Sequence, residues 1–332
     1  MFNVYAAEYR KKLTQAWELQ LIVDCTAFKL FRSATVHNAI TVFGKKSSGN
    51  SAVGYKETKD ALSFSELAQR PTSIISVENL LLNNVNWGLA FKLSVEVLTV
   101  ISKIKRGRKQ VKDLFPEISQ GLIAYDKYRG QSAEVISRRA YHYTEKVRSS
   151  LKPWLWGEDI TPYKVAWNGK EYIDYCDGIA NPRQPKFFKG QRVLVREITN
   201  PQIYAGLTQE EQYHDPSIIV ILETNDNILP LLGILNSKLA TFYHFNSSPK
   251  ATKGAFPKIL VNDLRVFPVP DWGNASKLTP LVKKMLELTP SLNQDSKNNR
   301  QNRDDINEKI NEIVFELYGL TQKERALVLS SL

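Results

Sequence analysis

The residues best suited to chemistry lie in one basic, tyrosine-rich run. Between residues 101 and 150 there are twelve Lys or Arg against five Asp or Glu. Tyr125, Tyr128, Tyr141 and Tyr143 interleave there with Lys127, Arg129, Arg138 and Arg139, and His142 sits between two of the tyrosines. Cations neutralise phosphates, and planar rings stack on bases or pack along sugars. The alternative is a solvated basic face with tyrosines half in the core. Further cations follow at Arg183, Lys186, Arg192 and Arg196, then at Lys238, Lys250 and Lys253 beside Asn236.

Other constellations are weaker. Glu57-Thr58-Lys59 has the spacing of a metal-dependent nuclease core, but no Pro-Asp phrase precedes it at suitable range. Glu158 and Asp159 are adjacent, so their carboxylates point apart, and Asp159 reads as the cap of a short turn. His37, His142, His214 and His244 form no ligand-spaced pair, and His244 reads as a surface residue. Cys25 and Cys176 lie far apart, so neither a disulfide framework nor a zinc site is expected, and the cytoplasm is the natural compartment. No apolar run is long enough to span a membrane. A net charge of +11 favours polyanionic partners without deciding the matter.

The elements that must position these residues follow from periodicity. Residues 6–20 predict a helix with Arg10, Lys11 and Lys12 on the wet side, followed by a buried strand over 19–25 and a second strand over 35–43. The polar run from Gly44 to Gly54 is the first candidate boundary. Residues 53–59 read as a short alternating strand. Ser63 with Glu66 is a capping signature for a helix that Pro71 ends. Residues 89–104 predict one amphipathic helix stopped by Gly107. Alternation over 183–199 puts Val193 and Val195 inside a sheet and Arg192 and Arg196 on its other face, and 217–223 reads as a buried strand.

The stretch from Leu229 to Pro270 dominates the C-terminal half. Leu231, Leu232, Ile234, Leu235, Leu239, Phe242 and Tyr243 share a helical face. A basic turn at Pro249–Gly254 follows, and then an extended apolar run from Phe256. The polar run 291–305 is expected to be mobile, and Ile306–Leu317 to be a closing amphipathic helix.

The wording of these segments resembles the TaqI-like C-terminal specificity (target-recognition) domain of adenine-specific DNA methyltransferases of the restriction-modification group. "GILNSKL", a basic loop and "FPKI…FPVP" carry the resemblance. So do "GL..YDKYRG", the strand with Arg192–Arg196, and Pro153, Leu155, Gly157, Asp159, Ile160 and Tyr163 in "P.L.G.DI..Y". Arg10, Leu13, Ile22, Val23, Asp24, Phe31, Ala34, Val36, Ile40 and Lys45 are similar to the segment that closes the catalytic domain, and "INEIVFELYGLTQKE" to the usual tail. The resemblance implies an α+β chain. Residues 1–50 would be a remnant of an α/β methyltransferase sheet, 51–114 a helical connector, 115–290 a mixed, β-rich DNA target-recognition domain, and 291–332 a polar linker with a C-terminal helix.

It further implies double-stranded DNA and a catalytic methyltransferase domain or subunit as partners. The DNA-binding set would be Tyr125, Lys127, Tyr128, Arg129, Arg138, Arg139, Tyr141, His142, Arg183, Lys186, Arg196, Asn236, Lys238, Lys250 and Lys253. The complete enzyme uses S-adenosylmethionine. No cofactor is expected on this chain, because no two glycines are separated by a single residue and no Asn-Pro-Pro-aromatic phrase occurs. Asn181-Pro182, Asn200-Pro201 and Asp215-Pro216 each lack the second proline. The expected product is the DNA-reading portion of such an enzyme, from a truncated or split gene. The alternatives are a separate specificity subunit and a remnant without function.

Overall fold

A central strand, β1 (Trp17–Asp24), organises the N-terminal part of the chain. The computed structural model describes residues 6–25, 31, 38–46, 52–58, 61–82, 87–248, 250–251, 256–289 and 297–332. Helix α1 (Ala7–Ala16) leads into β1. β1 pairs antiparallel with β2 (Ala39–Lys45) and parallel with β3 (Ala52–Glu57), and β4 (Ser73–Ser76) closes the order β2-β1-β3-β4. Leu19, Ile22, Val53 and Tyr55 form its core with Trp87 and Phe91. That burial makes the apolar run over 19–25 a strand.

Several expectations change here. Arg10 is fully buried, not on the wet side, with its guanidinium 5.5 Å from the centre of the Trp87 ring. Desolvation lowers its pKa to about 10. Val53, Gly54 and Tyr55 are all buried, so β3 does not alternate. β2 and β3 belong to one sheet, so the polar run between them joins two strands of one body. The chain divides into two compact units, residues 1–103 and 104–332.

Helix α2 (Phe64–Gln69) starts as read: the Ser63 hydroxyl accepts from Glu66 N, although the Glu66 carboxylate accepts from Leu62 N. After α3 (Val77–Leu82), the helix expected over 89–104 is two, α4 (Trp87–Ala90) and α5 (Val95–Lys105). Ser94 causes the break. Its hydroxyl accepts from Val97 N at 3.3 Å, a cap that restarts the helix.

The second unit opens with β5 (Lys109–Gln110), α6 (Val111–Leu114), β6 (Ile118–Gln120) and α7 (Ala133–Ser137). The strands β7 (His142–Tyr143), β8 (Lys152–Leu155), β9 (Ile160–Thr161), β10 (Tyr163–Val165) and β11 (Tyr172–Ile173) follow. Then come β12 (Arg192–Arg196), β13 (Ala205–Thr208), β14 (Tyr213–His214) and β15 (Ile218–Leu222). They form a six-stranded sheet, β6-β15-β12-β13-β10-β9, and a four-stranded one, β14-β8-β11-β7. β12 and β15 are antiparallel, with Leu194 opposite Val220. Arg192 contradicts the alternation reading: it lies fully inside.

Helices complete this unit. The long apolar face of the C-terminal half is split into α8 (Leu229–Leu235) and α9 (Lys238–Ser247), because Ser237 caps α9 by accepting from Ala240 N. The run expected to be extended from Phe256 contains a short helix, α10 (Val261–Arg265). The Asp263 carboxylate holds its start by accepting from Leu260 N at 2.9 Å. β16 (Pro268–Val269) pairs with β5, and α11 (Trp272–Ala275) and α12 (Thr279–Leu288) follow. α13 (Lys297–Leu317) includes residues 297–305, which were expected to be mobile, while 290–296 fall outside the described residues. α14 (Gln322–Ser330) begins at a reciprocal cap between Thr321 and Glu324. The chain is α+β, as its sequence implies. Among the described residues no helix is long and apolar enough to cross a membrane.

Candidate nucleic-acid interface

The turn at 126–130 presents Lys127, Tyr128 and Arg129 to solvent. The Asp126 carboxylate accepts from Tyr128 N at 2.8 Å, and Arg129 N donates to the Asp126 carbonyl at 3.1 Å. Gly130 ends the turn in the left-handed region, φ 83°, where glycine is unstrained. Gln131 locks the turn from beneath. Its Oε1 accepts from Asp126 N, and its Nε2 donates to the carbonyls of Ala124 and Gly178 at 2.9 and 2.7 Å. All three side chains at the tip are exposed, and Tyr128 is 84% exposed. Lys127 and Arg129 have no acidic partner among the described residues.

The other aromatic residues of this region turn inward. Tyr125 stacks on Tyr141 with centroids 5.5 Å apart, and its hydroxyl lies 2.8 Å from His142 Nδ1 while accepting from Tyr141 N. His142 meets the Trp154 ring edge-on at 4.7 Å. Desolvation, aided by Arg139, lowers the His142 pKa to about 4, so its ring is neutral. Leu122, Ala124, Trp154, Ile173 and Phe188 form the core beneath, which ties the turn's base to the following sheets. Tyr125, Tyr141 and His142 are therefore half-buried supports.

The remaining candidate cations divide by what holds them. Arg138 pairs with Glu134 at 3.0 Å, and both are largely exposed. Arg139 pairs with Glu171 at 2.6 Å and covers the Trp156 ring, from a backbone with φ 48°. Arg183 donates to Asn181 Oδ1 at 2.7 Å, and Lys186 pairs with Glu117 at 2.9 Å. Arg196 lies over the Tyr204 ring. Lys238 pairs with Glu308 at 2.6 Å. The Asn236 amide is engaged with the Ala205 peptide through both Oδ1 and Nδ2. Lys250 is exposed, and Lys253 falls outside the described residues.

Arg192, His244 and His214 are further buried polar residues that the sequence did not disclose. Arg192 donates to the carbonyls of Gly190, Glu210 and Gln212, clamping the loop before β14. Desolvation lowers its pKa to about 10. His244 is buried, not at the surface, with Nε2 3.1 Å from the Thr199 hydroxyl. His214 is enclosed, and burial lowers its pKa to about 3. Asp159 accepts from Trp156 N at 2.7 Å, the cap its position implied, and burial raises its pKa. Among the described residues no group of His, Cys, Asp and Glu could hold a metal ion.

Comparison with known proteins bears on the sheets just described. A protein of Methanocaldococcus jannaschii named for a type II restriction enzyme and methyltransferase, RM.MjaORFECS2P, is 24% identical over 255 residues. The match covers 70% of this chain and 21% of that protein, so the chain spans about a fifth of its relative's length. The type IIL restriction-modification enzyme MmeI, solved in complex with DNA, shares the fold with a TM-score of 0.50 at 10% identity, over 98% of this chain and 46% of that one. The type IIG restriction endonuclease BpuSI aligns with a TM-score of 0.39 at 13% identity, over 94% of this chain and 45% of its own. Residues 152–269, from β8 to β16, match the sequence profile of one family. That segment is a TaqI-like C-terminal specificity domain.

Proposed function

We propose that this chain is the DNA-reading part of a site-specific adenine-N6 methyltransferase from a restriction-modification system. The specificity domain at 152–269 is the observation that carries the reading. The charge of +11 suits the partner, since cations that neutralise phosphates displace condensed counterions and drive association. The exposed Lys127 and Arg129 supply phosphate contacts. Arg138, Lys186 and Lys250 join them at the surface, Arg138 and Lys186 by exchanging a carboxylate partner for phosphate. Tyr125, Tyr141 and His142 hold the turn in place from below.

The family's chemistry requires the target base to leave the duplex and enter a catalytic pocket. S-adenosylmethionine, bound elsewhere in the complete enzyme, supplies the methyl group. The catalytic site belongs to a further domain or subunit of the complete enzyme. This chain grips the flanking duplex and chooses the site. The sheet built on β1 is the part that closes the catalytic domain.

Fluorescence anisotropy of the full chain with a labelled 30-base-pair duplex, over a salt series, tests the reading. Binding that weakens with salt at about 0.9 log units per phosphate neutralised supports it. No saturable binding at 50 mM salt would overturn it.

A further inference from the structure

Every tyrosine of the basic run except Tyr128 is partly buried. Tyr125 and Tyr141 stack on each other, and the Arg148 guanidinium covers Tyr143 at 5.2 Å. Tyr128 projects from the turn with 84% of its surface in water. An apolar ring in solvent forgoes the burial that its neighbours obtain. The backbone beneath it is nonetheless fixed by the bonds from Asp126, Arg129 and Gln131. The turn therefore fixes where the tyrosine side chain begins. The ring is flanked in sequence by Lys127 and Arg129, and the Lys127 ammonium sits 4.9 Å from its centre. A planar apolar surface on a rigid stem, beside cations that reach phosphate, has the parts needed to stack on a base while its backbone is held.

We infer that Tyr128 is the stacking wedge of this DNA-reading chain: its ring packs against a base where the duplex opens. The inference rests on the DNA-binding reading above and assigns one residue a role distinct from phosphate contact. Stacking uses the ring face, so the hydroxyl is dispensable and phenylalanine substitutes. The contact neutralises no phosphate, so its loss lowers affinity without altering the salt dependence.

The test measures the full chain, wild type, Tyr128→Ala and Tyr128→Phe, by anisotropy on two labelled 30-base-pair duplexes. One duplex is fully paired and the other carries a single unpaired adenine, which lowers the cost of opening. Wild type and Tyr128→Phe are expected to prefer the duplex with the unpaired base. Tyr128→Ala should lose that preference, binding it roughly 10- to 100-fold more weakly with an unchanged salt slope. Equal binding by wild type and Tyr128→Ala would overturn the wedge while leaving DNA binding intact. A flattened slope in Tyr128→Ala would overturn it too, because the residue would then act through the cations. Failure of wild type to bind either duplex would instead remove the DNA-binding reading, and the wedge with it.

Discussion

The side chain of Asn236 closes both hydrogen-bonding groups of Ala205: Oδ1 accepts from Ala205 N at 3.1 Å, and Nδ2 donates to the Ala205 carbonyl at 2.9 Å. Nδ2 also reaches the Leu232 carbonyl at 3.0 Å, so one amide joins the end of α8 to β13. Ala205 is fully buried, and an unmet peptide group there is costly. Asn236→Ala is expected to lower stability by about 1–3 kcal/mol in urea unfolding. Unchanged stability with weakened DNA binding would make Asn236 a contact residue instead.

The apolar face of α8 and the exposed residue after α9 should separate stability from binding. Leu235 is fully buried, and Leu235→Ala is expected to cost about 2–5 kcal/mol. Lys250 is exposed, so Lys250→Ala should leave the melting temperature unchanged and reduce DNA affinity. A drop in melting temperature for Lys250→Ala would make this residue structural.

Ion pairing predicts which cations set the salt dependence. Lys127→Ala with Arg129→Ala should flatten the slope by about two units, since neither cation is held by a carboxylate. Arg139→Ala should leave the slope unchanged and lower stability, because its guanidinium joins Glu171 and Trp156. Anisotropy titrations from 50 to 300 mM salt give both answers. A flatter slope in Arg139→Ala alone would reverse the assignment.

Two buried histidines predict acid sensitivity. Burial lowers His214 to about 3 and His244 to about 4, from 6.5, and half-buried His142, lowered to about 4, adds to the same trend. The unfolded chain therefore binds more protons than the folded one below pH 6.5, and stability falls as pH drops through that value. Each histidine removes about 1.4 kcal/mol per pH unit until its folded pKa is reached. Asp159 and Asp263, both raised by burial, act in the opposite sense near the usual carboxylate range. Urea unfolding at pH 7, 6 and 5 should show a falling midpoint, with a shallower fall in His244→Gln. A flat profile over that range would place both rings in contact with water.

What the sequence disclosed depended on how local the cause was. Short apolar runs gave β1 and β15, and the capping pair Ser63/Glu66 gave α2, because each signal lies within a few residues. Ser94 and Ser237 carried the same kind of signal, but unbroken apolar periodicity hid the two helix breaks they make. Arg192 was illegible for another reason. Alternation gives a residue its side of a strand, and the carbonyls of Glu210 and Gln212 that admit the charge come from a loop 18–20 residues away. The basic run was visible as composition. Its division into an exposed tip at 127–129 and a packed base at Tyr125, Tyr141 and His142 required the fold.

Selection from a random duplex library tests sequence reading most directly. The full chain is incubated with the library at about 100 mM salt, and retained DNA is sequenced over successive rounds. A specificity domain predicts enrichment of one short motif, with single-base changes costing about 1–3 kcal/mol each when measured individually. Retained DNA with the base composition of the input would contradict that reading.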